Sequence, residues 1–306
     1  MTLRFRQLEI LLAILERGSV TQAAQLLGVS QPAVSKILQQ TEIRLGFRLF
    51  IREHGKLTPT TEARKLLPEL IKASAAMESF NRLADDLRDV RSGVVTVAAS
   101  ASFGNDLIGA TIARFRASRP RARVILQTLL NHEIVESVAE NRVDLGLALS
   151  PAEDSATMAR DFCATDLICV MPAGHPLEKL DEISPKQLQG VPLISFSRDR
   201  PIGALVENAY AQAGEKRKIS IEVTQSWTAC SLVQAGCGIA IVDGFALLGG
   251  MFSELAARPL VPRISITGRA LTPRHRPLSR LAEAFLNEFQ GVIQDLMRRK
   301  GKVPIR

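Results

Sequence analysis

The stretch that decides the fold runs from residue 5 to residue 63: FRQLEILLAILERGSVTQAAQLLGVSQPAVSKILQQTEIRLGFRLFIREHGKLTPTTEA. Phe5, Leu8, Leu11, Leu12 and Leu15 recur at helical spacing and Gly18 ends the run, so 5–17 is expected to be an amphipathic helix. Ser19 and Thr21 are both N-cap types ahead of a second helix whose inner face is Val20, Ala23, Ala24 and Leu27. Gly28, Val29 and Ser30 form a short turn. Ser30 then caps a third helix with Pro32 in its first turn, where a missing N–H costs nothing. Its inward residues are Val34, Ile37, Leu38 and Leu45. Two short helices joined by a turn containing Gly make a helix-turn-helix. Residues 48–59, RLFIREHGKLTP, read as two short strands around a basic Gly turn, a wing.

The other face of the third helix carries Gln31, Ser35, Lys36, Gln39 and Gln40. Amides and hydroxyls can read base edges in a major groove, and Lys36 can meet phosphate or guanine. The helix start, with Pro32, favours a phosphate, and Arg52 and Lys56 give the wing its charge. From the residues alone the same amides also suit a solvated surface helix. Charge favours the nucleic-acid reading. The chain carries +8 overall, and residues 1–65 hold ten Lys/Arg against five Asp/Glu, so a fifth of the chain carries most of the excess.

From 61 to 91 there is no Gly, and the single Pro is Pro68. Leu66, Leu70, Ala73, Met77, Phe80, Ala84 and Leu87 alternate at intervals of four and three, a heptad seam. A helix this long needs something to cover that seam, either its own N-terminal domain or the same helix of a second subunit. Beyond it, strands alternate with helices. Strands are expected at 94–98, 124–128, 144–149, 167–171, 193–196, 219–223, 238–242 and 260–272. Helices are expected at 104–119, 133–141, 185–188, 203–213, 227–234 and 278–297. This alternation predicts two α/β units with mainly parallel sheets.

The FRQLE opening, Gly18-Ser19-Val20, Ala23-Ala24, the run from Ser30 to Ser35, Leu45-Gly46, Leu49-Phe50 and Leu57-Thr58-Pro59 together closely resemble the winged helix-turn-helix of LysR-type transcriptional regulators. Ala63 departs from that pattern, which usually has Gly shortly after the wing threonine. The likeness continues through Asp144-Leu145-Gly146, the stretches 172–177 and 233–240, and Arg276-Pro277-Leu278-Ser279. The segment 220–233 is most like the branch that senses amino acids and opines. The resemblance implies an α/β chain of three parts. These are a winged helix-turn-helix at 1–60, a linker and dimerisation helix at 61–91, and a two-lobed, periplasmic-binding-protein-like effector domain at 92–306. Lobe one would hold 92–164 and 269–306, and lobe two 165–268. The partners it implies are double-stranded DNA, a small-molecule effector, RNA polymerase, and further copies of the chain as a dimer or dimer of dimers.

In such a two-lobed domain the cleft, where strand ends meet helix starts, is the default ligand site. The candidates there are Ser100 and Ser102 after the first strand, Gln127 near the end of the second, and Ser195 and Arg198 after a strand of lobe two. Ser226, Trp227 and Thr228 open a helix, and Asp243 follows a strand. Hydroxyls and backbone N–H groups at helix starts can hold a carboxylate, Arg198 is placed to strengthen that bond, and Asp243 to face an amine. Each serine also reads as an N-cap, Arg198 and Asp243 as solvated loop charges, and Trp227 as core. A carboxylate effector, an amino acid or derivative, is the expectation.

Other classes fare poorly. No run of apolar residues is long enough for a membrane helix, and the N-terminus lacks an apolar signal core, so a cytoplasmic protein is expected. Four cysteines and four histidines lack zinc spacing, and no cofactor motif is present. Cys230 and Cys237 would lie roughly 10 Å apart on a helix, too far for a disulfide. No nucleophile elbow or phosphate loop supports an enzyme.

Overall fold

The computed structural model describes residues 3–53, 56–88 and 92–298. The chain divides into two compact units, one holding Met1–Asn81 with Glu140–Arg142 and the other Arg82–Ala139 and Val143–Arg306.

In the first unit, helices α1 (Phe5–Arg17), α2 (Val20–Leu27) and α3 (Gln31–Leu45) precede strands β1 (Phe50–Glu53) and β2 (Lys56–Pro59) and helix α4 (Thr61–Arg88). α1 ends where Gly18 turns left-handed at φ 63°, and α2 ends the same way at Gly28, φ 64°. The inward stripes meet in one core of Ile10, Leu11, Ile14, Ala23, Ala24, Val34, Leu49, Phe50 and Ala63. Two polar devices hold the pieces in register. Gln7 donates from Nε2 to the fully buried Thr41 hydroxyl at 2.9 Å, tying α1 to α3. Glu42 accepts from the backbone N–H groups of Leu49 and Phe50 at 2.7 and 3.2 Å, pinning the start of the wing. β1 and β2 pair antiparallel, with Arg52 opposite Leu57.

The second unit is built on one nine-stranded mixed sheet. In one half, β3 (Ser92–Ala99) lies parallel between β4 (Arg121–Thr128) and β5 (Leu145–Leu149). In the other, β7 (Leu193–Phe196) lies parallel between β8 (Ile221–Val223) and β9 (Ile239–Asp243). Two antiparallel strands run through the middle: β6 (Thr157–Pro172) and β11 (Ser265–Pro273). β6 pairs with β11 up to Asp166 and with β9 from Leu167, so a single strand passes from one half to the other. β10 (Leu255–Pro259) adds to β6. The helices are α5 (Gly104–Ser118), α6 (Asn131–Ala139), α7 (Pro201–Gln212), α8 (Ser226–Gln234) and α9 (Arg280–Arg298). Single 3-10 turns occupy Ala101–Phe103 and Gly244–Leu247.

Three expectations are corrected. The two mainly parallel sheets are one mixed sheet, because β6 and β11 run antiparallel through its middle and join the halves. The strand expected at 167–171 is sixteen residues long; the part before Leu167 carries Arg160, Asp161 and Asp166 on exposed or ion-paired positions that hide the apolar pattern. The strand expected at 260–272 starts only at Ser265, as β11, after a break around Pro262, which has no N–H to give a ladder, and β10 at Leu255–Pro259 falls outside every expected strand. Where the halves meet, Phe103 packs against Phe162, Phe245 and Phe289 with ring centroids 5.5, 5.3 and 5.9 Å apart. Such pairs add about 0.5–1.5 kcal/mol each beyond area burial. No helix among the described residues is long and apolar enough to cross a membrane.

Candidate functional sites: recognition helix and inter-lobe cleft

α3 begins at Ser30, whose extended backbone (φ −75°, ψ 144°) precedes Pro32 in the first turn. Val34 and Thr41 turn inward and are fully buried. Helical spacing therefore turns Gln31, Pro32, Lys36, Gln39 and Gln40 outward, all exposed, with Ser35 half-buried. Gln31 donates from Nε2 to the Ser35 hydroxyl at 3.2 Å. That leaves Gln31 one amide hydrogen and its carbonyl oxygen, the donor and acceptor an adenine edge requires. Arg52 is exposed on β1. The turn at 54–55 and the side chain of Lys56 lie outside the described residues.

In the second unit, the 3-10 turn after β3 and the starts of α6, α7 and α8 converge on a cavity of about 630 Å³, a size suited to a small metabolite. Ser100, Ser102, Asn131, His132, Arg200 and Ser226 are among its lining residues. A neighbouring cavity of about 160 Å³ lies between Ser100, Leu126, Thr128, Gln225 and Trp227. Close packing shapes the first wall: a Cβ on Gly203 would stand 1.9 Å from the Ser197 carbonyl oxygen, so only glycine lets α7 start so tightly after β7. Asn131 bridges α6 to the end of β5, accepting from Leu149 N–H at 3.0 Å and donating to the Leu149 carbonyl.

Ser100, Ser102, Ser226 and Trp227 line these cavities, and Trp227 also packs edge-on against Phe252 at 5.4 Å. Five other candidates do not line them. Gln127 is exposed, and strand alternation turns it away from Leu126 and Thr128, which line the smaller cavity. Ser195 alternates with Phe196 and is fully buried on the other side of β7, where its hydroxyl accepts from Arg217 at 3.3 Å. Arg198 and Thr228 are exposed outside the cavity. Asp243 faces no opening: it is fully buried and its Oδ2 accepts from Ser102 Oγ at 2.8 Å and Ser226 Oγ at 2.5 Å.

Ser102 follows β3 and Ser226 opens α8, so Asp243 draws together hydroxyls from the two halves of the sheet. Burial pushes its carboxyl above the usual carboxylate range, against the serine hydroxyls and the backbone N–H groups of Asp243 and Ala246, which act downward. Oδ1 is buried without a hydrogen bond of good geometry.

Sequence reasoning missed Arg200. It is half-buried at the start of α7, lines the cavity, and makes no ion pair within 4 Å among the described side chains. Its place just before a Pro-initiated helix was the available signal. Also missed were the acids: Glu136, Glu153, Asp154 and Asp199 line the same cavity. Glu153 is held by Arg269 at 2.7 Å. The Ser197 hydroxyl, then the backbone N–H of Asp199 and last the charge of Arg200 hold Asp199 below the ordinary carboxylate range, against burial, which acts upward.

Cys163, Cys169 and Cys230 are buried and all four cysteines are free. Burial pushes the Cys163 and Cys230 thiols up to about 12 and Cys169 upward as well, which leaves almost no thiolate at neutral pH. Among the described residues no group of three or more His, Cys, Asp or Glu could hold a metal ion.

Residues 5–64 match the family described as the bacterial regulatory helix-turn-helix protein, lysR family, and residues 88–294 match the LysR substrate binding domain. The HTH-type transcriptional regulator DgcR of Pseudoalteromonas sp is 30% identical over 291 residues, covering 95% of this chain and 100% of the relative. The octopine catabolism/uptake operon regulatory protein OccR of Rhizobium meliloti is 30% identical over 301 residues, covering 98% of this chain and 100% of the relative. The fold is similar to that of full-length CbnR solved with its target DNA, at a TM-score of 0.69 and 21% identity over 95% of this chain and 100% of that one. The chain belongs to the LysR family: it is a DNA-binding transcriptional regulator with a substrate-binding domain, not an enzyme.

Proposed function

We propose that this regulator answers to a small carboxylate-bearing metabolite, an amino acid or derivative, held in the cavity between the two lobes. The observation that carries the reading is Arg200, half-buried in the cavity wall with no ion pair within 4 Å among the described residues, beside the starts of α6, α7 and α8. An arginine fork and helix-start N–H groups are the donors a carboxylate accepts from, and each such bond is charge-assisted. Ser100, which lines both cavities, is a further donor. The likeness to an octopine regulator agrees with a ligand of this class. Gln31, Pro32, Ser35, Lys36, Gln39, Arg52 and Lys56 are the residues through which the first unit would contact DNA. α4 would pair two subunits, and RNA polymerase would be met at the promoter.

A ligand that prefers one angle between the lobes shifts the population toward that angle, and only differential affinity can do so. The test is a thermal-shift screen of the full chain against carboxylic acids and their uncharged amides. Carboxylates should raise the melting temperature where their amides do not, and Arg200→Gln should abolish that difference. Stabilisation by neutral aromatics or simple cations alone would sink the proposal.

A further inference from the structure

Ser102 and Ser226 are two buried serines in the cavity lining, and both spend their hydrogen on Asp243. A serine has one hydrogen and two lone pairs. With the hydrogen committed, each oxygen offers the cavity only an acceptor. A carboxylate needs donors, so these two serines are mismatched to the group for which a cleft serine is first suspected. They match a nitrogen that carries hydrogens. We propose that the Ser102–Asp243–Ser226 cluster is the subsite for the effector's amino group. The ammonium would donate to both serine oxygens, with the buried Asp243 carboxylate behind them as counter-charge. This rests on the inter-lobe cavity being the effector site and assigns the second pole of its ligand, opposite the carboxylate read by Arg200.

A second, independent observation points the same way. Glu136, Glu153, Asp154 and Asp199 line the cavity against one arginine, and of these four only Glu153 is ion-paired to Arg269. A ligand carrying nothing but carboxylate would meet a negative wall, because the single Arg200 faces Glu136, Asp154 and Asp199 together. A ligand that also carries a cationic nitrogen meets attraction. The direction of Asp243's acidity fits too. Burial holds the carboxyl above the ordinary range, and a cation seated on the serines would favour the ionised form.

The test uses the full-length protein and the common L-amino acids, each paired with the carboxylic acid that lacks its α-amino group. Binding is read by titration calorimetry. An amino acid that binds should do so at least about tenfold more tightly than its deaminated partner. Asp243→Asn should shrink that ratio toward one by weakening the amino acid and sparing the deaminated acid. Should Asp243→Asn fail to fold, Ser226→Ala and Ser102→Ala each remove one acceptor and should shrink the same ratio. A merely structural cluster would weaken both ligands alike and leave the ratio unchanged, which overturns the inference. Deaminated acids binding as tightly as amino acids overturn it as well, while leaving the carboxylate reading intact. Amino alcohols binding as tightly as amino acids would instead sink the carboxylate reading and leave the amino subsite standing. A panel with no amine-dependent binding at all overturns the subsite.

Discussion

Gln31 shows how much a single side chain's surroundings decide. Its amide leans on Ser35, so rotation is restrained and one donor and one acceptor face outward. Replacing Gln31 with Ala should cost about 1–3 kcal/mol at the cognate operator and little on random DNA. Fluorescence anisotropy with both DNAs checks this, and equal losses would mark a backbone contact. Asp243 is the opposite case, a charge turned inward. Its acidity is raised by burial, so the folded state holds its proton more tightly than the unfolded chain does. Folding stability therefore falls as pH rises from the unfolded carboxyl's range toward the folded one's. Asp243→Asn lacks that dependence. Its melting temperature should gain on the parent's as pH is raised from about 4 to 7, and a gap that is flat or narrows with pH would contradict the account.

The long helix α4 is the element whose sequence pattern the single chain leaves unanswered. Leu66 is 41% exposed and Phe80 66% exposed, though both belong to the heptad seam. Met77 is half-buried, and Leu87's side chain lies outside the described residues. An apolar seam open to water on a 28-residue helix calls for a second helix against it. Phe80→Asp should shift the chain toward monomer in sedimentation. It should also weaken binding to a two-half-site operator far more than to a single half-site. A variant that stays oligomeric and binds the operator normally would remove α4 from the interface.

Across the whole effector-binding unit, the two lobes are joined by β6 and β11 and by the aromatic cluster around Phe103. Gly268 sits on β11 at a register shift, and a Cβ there would stand 2.5 Å from the Phe162 ring and 3.3 Å from Phe245. Phe162 is itself wedged against Phe289 at 5.1 Å, which leaves it little room to yield. Gly268→Ala should cost about 1–3 kcal/mol through overpacking, read as a lower urea midpoint at unchanged slope. No loss of stability would show that the rings where the lobes meet can move apart freely.

Helical periodicity, N-cap residues and Gly stops sufficed to delimit α1 and α2 to within a residue and to place the start of α3, because those signals are local and each is read within a few positions. The alternation of strands and helices likewise announced the α/β class and most element positions. The same local reading located Ser100, Ser102 and Ser226 at helix starts. Only the tertiary structure decided what they do. Ser102 and Asp243 are 141 residues apart in sequence, and nothing near either one announces the other. Ser195, Gln127 and Arg198 failed as cavity residues for a related reason. Which face of a strand or loop meets the cleft depends on how sheets and helices stack, and a one-residue step reverses it. The acids that make the cavity negative are scattered over 136–199 and become one electrostatic environment only when two lobes close around it.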